Sequence, residues 1–187
     1  MAKYRYFDVL EALAADMSRA VSLACGERCK NRCDELNQLR RTCDKKICEL
    51  EDALFADFLP PLERDNIAAC AHGMSRVIDR AVALSATHGG QSSLSFRPDE
   101  GELICRQLAG LLCENVALLR NIRKPSEMPT LRSFRELLGK GRACHAERVR
   151  RSGTGSPQSA SVLMCGRLLQ ELSDCFDELV EIMLNNI

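Results

Sequence analysis

Apolar residues recur along most of this chain at steps of three and four, the period of a helix with one buried face. Phe7, Leu10, Leu13, Ala14, Met17, Ala20, Val21 and Ala24 make the first stripe. Cys29, Cys33, Leu36, Leu39, Cys43, Ile47, Leu50, Leu54 and Phe58 make a second, which should stop before Pro60-Pro61 because a proline disfavours helix in the residue ahead of it. Ile67, Cys70, Ala71, Met74, Val77, Ile78, Ala81 and Leu84 predict a third helix, followed by a flexible connection at Gly89-Gly90-Gln91-Ser92-Ser93.

The second half repeats the arrangement. Leu103, Ile104, Leu108, Leu111, Leu112, Val116, Leu119 and Ile122 predict a fourth helix, stopped near Pro125 and Pro129. Leu131, Phe134, Leu137, Leu138 and Cys144 mark a fifth that turns basic at its end, and Ser152-Gly153-Thr154-Gly155-Ser156-Pro157 reads as a loop. The stripe from Val162 through Cys165, Leu168, Leu172, Cys175, Phe176 and Leu179 to Met183 predicts the sixth. No stretch alternates as a strand does. The pattern predicts an all-α bundle of three plus three helices, one domain over 1–187 with quasi-repeats at about 1–88 and 98–187.

Composition narrows the class. Twenty-six basic and 26 acidic residues give no net charge, so no broad nucleic-acid footprint is expected. No apolar run approaches the roughly 20 residues of a membrane span, and Tyr4-Arg5-Tyr6-Phe7-Asp8 is not the basic-then-apolar opening of a signal peptide. A cytoplasmic protein that does not insert into membranes is the expectation. The neutral total hides two local imbalances. Residues 140–151 carry +4, and residues 167–181, on the last helix, carry −4. The plainest arrangement sets the basic helix end against its acidic neighbour.

Eleven cysteines are too many to ignore, and no CxxC pair occurs among them. Cys25, Cys29 and Cys33 stand at i, i+4 and i+8, which would place three thiols along one helix face and offer soft ligands to Cu(I) or Zn. The simpler reading makes most of these cysteines small core residues in a reducing compartment. The three histidines are dispersed, and no phosphate loop or nucleophile constellation is present, so the chain reads as no enzyme. Asp174 and Glu178, at i, i+4, could share a hard cation. Asp44 and Asp79 hold comparable places on the second and third helices.

One stretch carries a resemblance. Phe58-Leu59-Pro60-Pro61-Leu62-Glu63-Arg64-Asp65-Asn66-Ile67, followed by Met74-Ser75-Arg76-Val77-Ile78-Asp79, resembles a hallmark of the PhoU-like family, in the branch that accompanies Pit-type phosphate permeases. The opening Tyr6 to Ala14 and the closing Asp174-Cys175-Phe176-Asp177-Glu178-Leu179 are similar to that family's ends. The resemblance implies a six-helix bundle of two three-helix quasi-repeats. It implies a regulator or accessory of inorganic phosphate transport that works by protein contact, with a membrane phosphate permease or a signalling protein as partner and a homo-oligomer as a further arrangement. Some family members hold metal clusters through paired carboxylates four residues apart. Here Arg40 stands four before Asp44, Ser75 four before Asp79 and Gln170 four before Asp174, while the fifth helix has Lys140 and Cys144. Asp44, Asp79, Asp174 and Glu178 are thus the remains of a divalent-metal site, and no cofactor is expected. Arg40 and Lys140 raise the alternative of an anion site. The rival function is a cysteine-rich bundle binding soft metal through Cys25, Cys29 and Cys33.

Overall fold

The computed structural model describes residues 5–26, 31–57, 60–88, 98–122, 128–152 and 157–186. Among them are α1 (Tyr6–Ala24), α2 (Arg32–Ala56), α3 (Arg64–Thr87), α4 (Glu100–Ala117), α5 (Pro129–Arg151) and α6 (Pro157–Asn185), with no strand. The last turn after α4 tightens to a 3-10 helix at Leu118–Asn121, as helix ends commonly do.

Local chemistry sets several boundaries. Asp99 accepts the backbone N–H of Glu102 at 3.0 Å while the Glu102 carboxylate accepts that of Asp99 at 3.2 Å, a capping box that starts α4. Pro129 opens α5, where a missing N–H costs nothing. Asp57, the residue after α2, is already extended, ahead of Pro60-Pro61. The Arg64 side chain that follows the prolines reaches back to donate to the carbonyls of Leu54 (2.9 Å) and Asp57 (2.6 Å). The Tyr6 hydroxyl donates to the Ala53 carbonyl at 3.1 Å. Arg64 thus satisfies carbonyls at the end of α2, while Tyr6 adds a second bond to the Ala53 oxygen that already accepts the Asp57 N–H.

One predicted position shifts. Tyr6, not Phe7, is the buried residue that opens the α1 stripe, and Phe7 is only partly covered beneath the Arg120 guanidinium. Cys33 is exposed on the first turn of α2, and Leu103 is 42% exposed, so neither belongs to the core that its periodicity suggested. Periodicity finds a stripe's direction but not its edges. Cys29, Phe58, Pro125, the 89–93 connection and 153–156 lie outside the described residues.

Helix α1 packs on α2, α3 and α4; α3 packs on α6; α4 and α5 pack on each other and on α6. One continuous apolar core runs through all six helices, from Leu10, Met17 and Leu50 to Leu108, Phe134 and Leu179. Phe134 and Phe176 stack at 4.0 Å between ring centres, tying α5 to α6. Gly141 lets α5 come close, since a Cβ there would stand 3.0 Å from Ile104 and 3.1 Å from Leu169. No helix among the described residues is long and apolar enough to cross a membrane.

Candidate functional site

Two of the polar regions among the described residues bear on the residues singled out above. The first is the face that α3 shares with α2 and α6. Arg40 on α2 pairs with Asp79 on α3 at 2.8 Å. Arg76 on α3 bridges Glu171 (3.3 Å) and Glu178 (2.5 Å) on α6, and Arg80 holds Glu171 at 3.0 Å. Gln170 donates to Asp174 at 2.7 Å, and Asp44 is exposed on α2. The residual acids are therefore not gathered into one cage. Asp79 and Glu178 are each held by a guanidinium, Asp174 by an amide, and Asp44 stands apart.

This set does not fit a divalent ion. A hard cation needs several carboxylate oxygens turned to one point, whereas here arginines occupy the spaces between the acids. No group of three His, Cys, Asp or Glu among the described residues is arranged to hold a metal. Arg40 is likewise committed to Asp79, so it is not an open anion receptor. Lys140 lies elsewhere, in a groove of about 560 Å³ between α4 and α5 lined with Leu103, Ile104, Leu137 and Cys144.

The charge pairing differs from the simplest sequence expectation. The acids of α6 are answered by Arg76 and Arg80 of α3, not by the basic end of α5. On α5, Arg150 and Arg151 pair with Glu147 of the same helix, and Arg148 pairs with Asp99. The signal for Arg76 was present in the sequence, since it sits one turn from Asp79 and Arg80. Its partners on α6, about 100 residues away, could not be read there.

The second region lies where α1 and α3 end and α4 begins, close to the first turns of α6. His88 and Glu102, each 1% exposed, face each other at 3.2 Å. The His88 Nε2 also stands 3.0 Å from the Ser161 hydroxyl. Both partners meet the same ring nitrogen, which is not the relay of a nucleophile, base and orienting acid. The buried thiols of Cys105 and Cys165 touch at 4.0 Å, on α4 and α6. Cys25 is buried at the end of α1, where desolvation pushes its thiol well up and the charges of Cys165 and Glu102 push the same way. Arg32, 5% exposed on the first turn of α2, acts on it in the opposite sense.

The sequence-predicted thiol ladder is corrected here. Cys25 closes α1 and Cys33 is the second residue of α2, so the two do not share a helix face. Cys33 is exposed and Cys25 is buried. The sequence reading missed Cys105 altogether and treated Cys165 as packing, because their approach depends on how α4 meets α6.

Comparison with known proteins bears on the fold. No family model and no curated protein matches the sequence. Among solved structures, a PhoU-like protein from Shewanella oneidensis MR-1 is similar over 96% of both chains, with a TM-score of 0.54 and 12% identity. A second protein from that organism, described as PhoU-like and phosphate-regulatory, matches over 97% of this chain and 96% of its own, with a TM-score of 0.53 and 13% identity. The chain has the PhoU-like fold, an all-α bundle, over nearly its whole length.

Proposed function

We propose that this chain is a non-enzymatic regulator or accessory of inorganic phosphate transport, acting by contact with another protein. The observation that carries the reading is the PhoU-like fold over 96–97% of the chain, one of whose solved neighbours is described as phosphate-regulatory. The resemblance at Pro60-Pro61-Leu62-Glu63-Arg64 supports the same reading and points to the branch that accompanies Pit-type permeases. A membrane phosphate permease is the partner this reading favours, with a signalling protein as the other choice. The chain acts from the cytoplasmic side, alone or as a homo-oligomer.

A regulator of this kind needs no bound metal in the α3–α6 face, and the arginine pairs supply a physical reason. A salt-bridged face holds its charges without an ion, so the protein works as a metal-free variant of the fold. The rival soft-metal reading loses the single helix face it assumed, because Cys25 follows the end of α1 and Cys33 lies on α2.

Deletion of the gene, with uptake of radiolabelled phosphate measured under scarce and replete conditions, tests the reading. A changed uptake rate restored by the intact chain is expected. Equal uptake under both conditions, together with no permease recovered by cross-linking and affinity purification, would overturn it.

A further inference from the structure

Cys105 and Cys165 are the feature that the proposed function leaves unused. They come from neighbouring helices and are 1% and 3% exposed, with their sulfurs 4.0 Å apart. Arg148 approaches the same spot from α5. Asp99 takes its Nη2, while Nη1 is buried with no hydrogen-bond partner among the described residues. Gly101 explains how the cation fits. A Cβ at that position would stand 2.8 Å from Arg148 Nη1 and 3.5 Å from Cys165 Sγ, so a guanidinium nitrogen and a sulfur flank one glycine.

We propose that Cys105 and Cys165 are an oxidisable dithiol, a modification site at which a hydroperoxide converts two buried thiols into a disulfide joining α4 to α6. The distance suits a reduced pair poised for this step. A disulfide needs its sulfurs at about 2.05 Å, roughly half the present separation, which side-chain rotation on two packed helices has to supply.

The surroundings divide the labour between the two thiols. Contact with the Cys105 sulfur and the Arg148 guanidinium beside Gly101 favour the thiolate at Cys165, against burial and the charges of Asp99 and Glu102, and Cys105 is the thiol held protonated. Cys165 therefore attacks and Cys105 resolves. The Cys165 thiolate attacks the terminal oxygen of the hydroperoxide, the O–O bond breaks, and the departing alkoxide or hydroxide takes up a proton. Cys165 is then a sulfenic acid. The Cys105 sulfur attacks the Cys165 sulfur, the S–O bond breaks, and hydroxide leaves with the Cys105 proton as water. Two electrons pass from the two thiols to one hydroperoxide.

A second buried pair provides an internal contrast. Burial pushes the Cys175 thiol well up, with Cys70 adding to it, and burial pushes the Cys70 thiol up to about 12. Their carboxylate neighbour Glu178 raises both thiols further, so neither is readily a thiolate. Exposure alone would favour Cys33 and Cys48 over any buried thiol.

The test treats the reduced, intact chain with hydrogen peroxide below one equivalent, then unfolds it in guanidinium chloride while N-ethylmaleimide blocks the remaining thiols, and maps peptides without reduction. The expected product is a Cys105–Cys165 peptide pair lighter by two hydrogens, formed before Cys33 or Cys48 is consumed. Cys105→Ser should accumulate a dimedone-trappable sulfenic acid at Cys165, and Cys165→Ser should leave Cys105 unmodified. Arg148→Met should slow oxidation of Cys165, because the charge that favours its thiolate is gone. The proposal is overturned if Cys33 and Cys48 oxidise while both buried thiols still take the maleimide, or if Cys105 reacts as fast without Cys165. Because the readout is the chain's own chemistry, it is independent of any link to phosphate.

Discussion

At Gly73 α3 lies close against α6, where even a methyl group would meet two side chains. A Cβ there would stand 2.5 Å from Glu178 Oε2 and 3.1 Å from Cys175 Sγ. Gly73→Ala has to displace only the flexible end of the Glu178 side chain, a cost set against the roughly 0.5–1 kcal/mol that alanine gains over glycine inside a helix. Urea unfolding monitored by circular dichroism should show a midpoint close to wild type; a clear loss would mean that the Cys175 sulfur, not the carboxylate, limits the space. His145 offers a residue-scale test in pH. Burial and the Arg148 charge lower its pKa below the ordinary 6.5, and its ring rests against Gly166. The folded chain therefore resists a proton that the unfolded chain accepts, so this contribution to stability is full above pH 6.5 and fades as the pH falls below it. Thermal melts between pH 7 and pH 5 should show a falling Tm, with a shallower slope in His145→Gln. The same slope in both would assign the acid sensitivity elsewhere. Neither packing contact was legible in the sequence, where Gly73 and His145 are single letters inside helical stripes; Glu178 and Gly166 come from α6, and only Arg148 is a helical neighbour of His145.

At the scale of elements, α6 is held in two different ways. Its apolar stripe is anchored to α5 by the Phe134–Phe176 stack, deep in the core. Phe134→Ala removes a fully buried ring and is expected to cost about 3–5 kcal/mol, seen as a lowered urea midpoint. Its acidic face is held to α3 by arginines whose side chains are about 40% exposed, a much weaker kind of contact. Arg76→Gln should therefore cost only about 1 kcal/mol, and the difference from wild type should shrink in molar salt. A loss several times larger, insensitive to salt, would show that the guanidinium packs as well as pairs. The apolar stripes of α3 and α6 could be read from periodicity, and so could the proline break after α2. Which cation meets which acid could not, because α5 and α3 both offered arginines and only their placement around α6 chose between them.

For the whole molecule, the packing of α1 on α4 and of α3 on α6 joins the first three helices to the last three through one core. The chain is expected to unfold in a single cooperative transition, with helix signal and burial of Cys70 and Cys105 lost together. Two separated transitions in calorimetry would mean that the quasi-repeats behave as independent units. Hydrophobic spacing alone determined that this protein is helical and about where four of its turns fall, because helix periodicity and proline geometry are local properties of the chain; the turn between α1 and α2 was not among them. Spacing also placed Cys43, Cys70 and Cys175 inside. Only the tertiary structure decided that Asp79 and Glu178 serve as arginine partners and that Cys105 meets Cys165. Those outcomes depend on side chains 39 to 102 residues apart reaching one place, and nothing in a local pattern specifies which helix faces meet there.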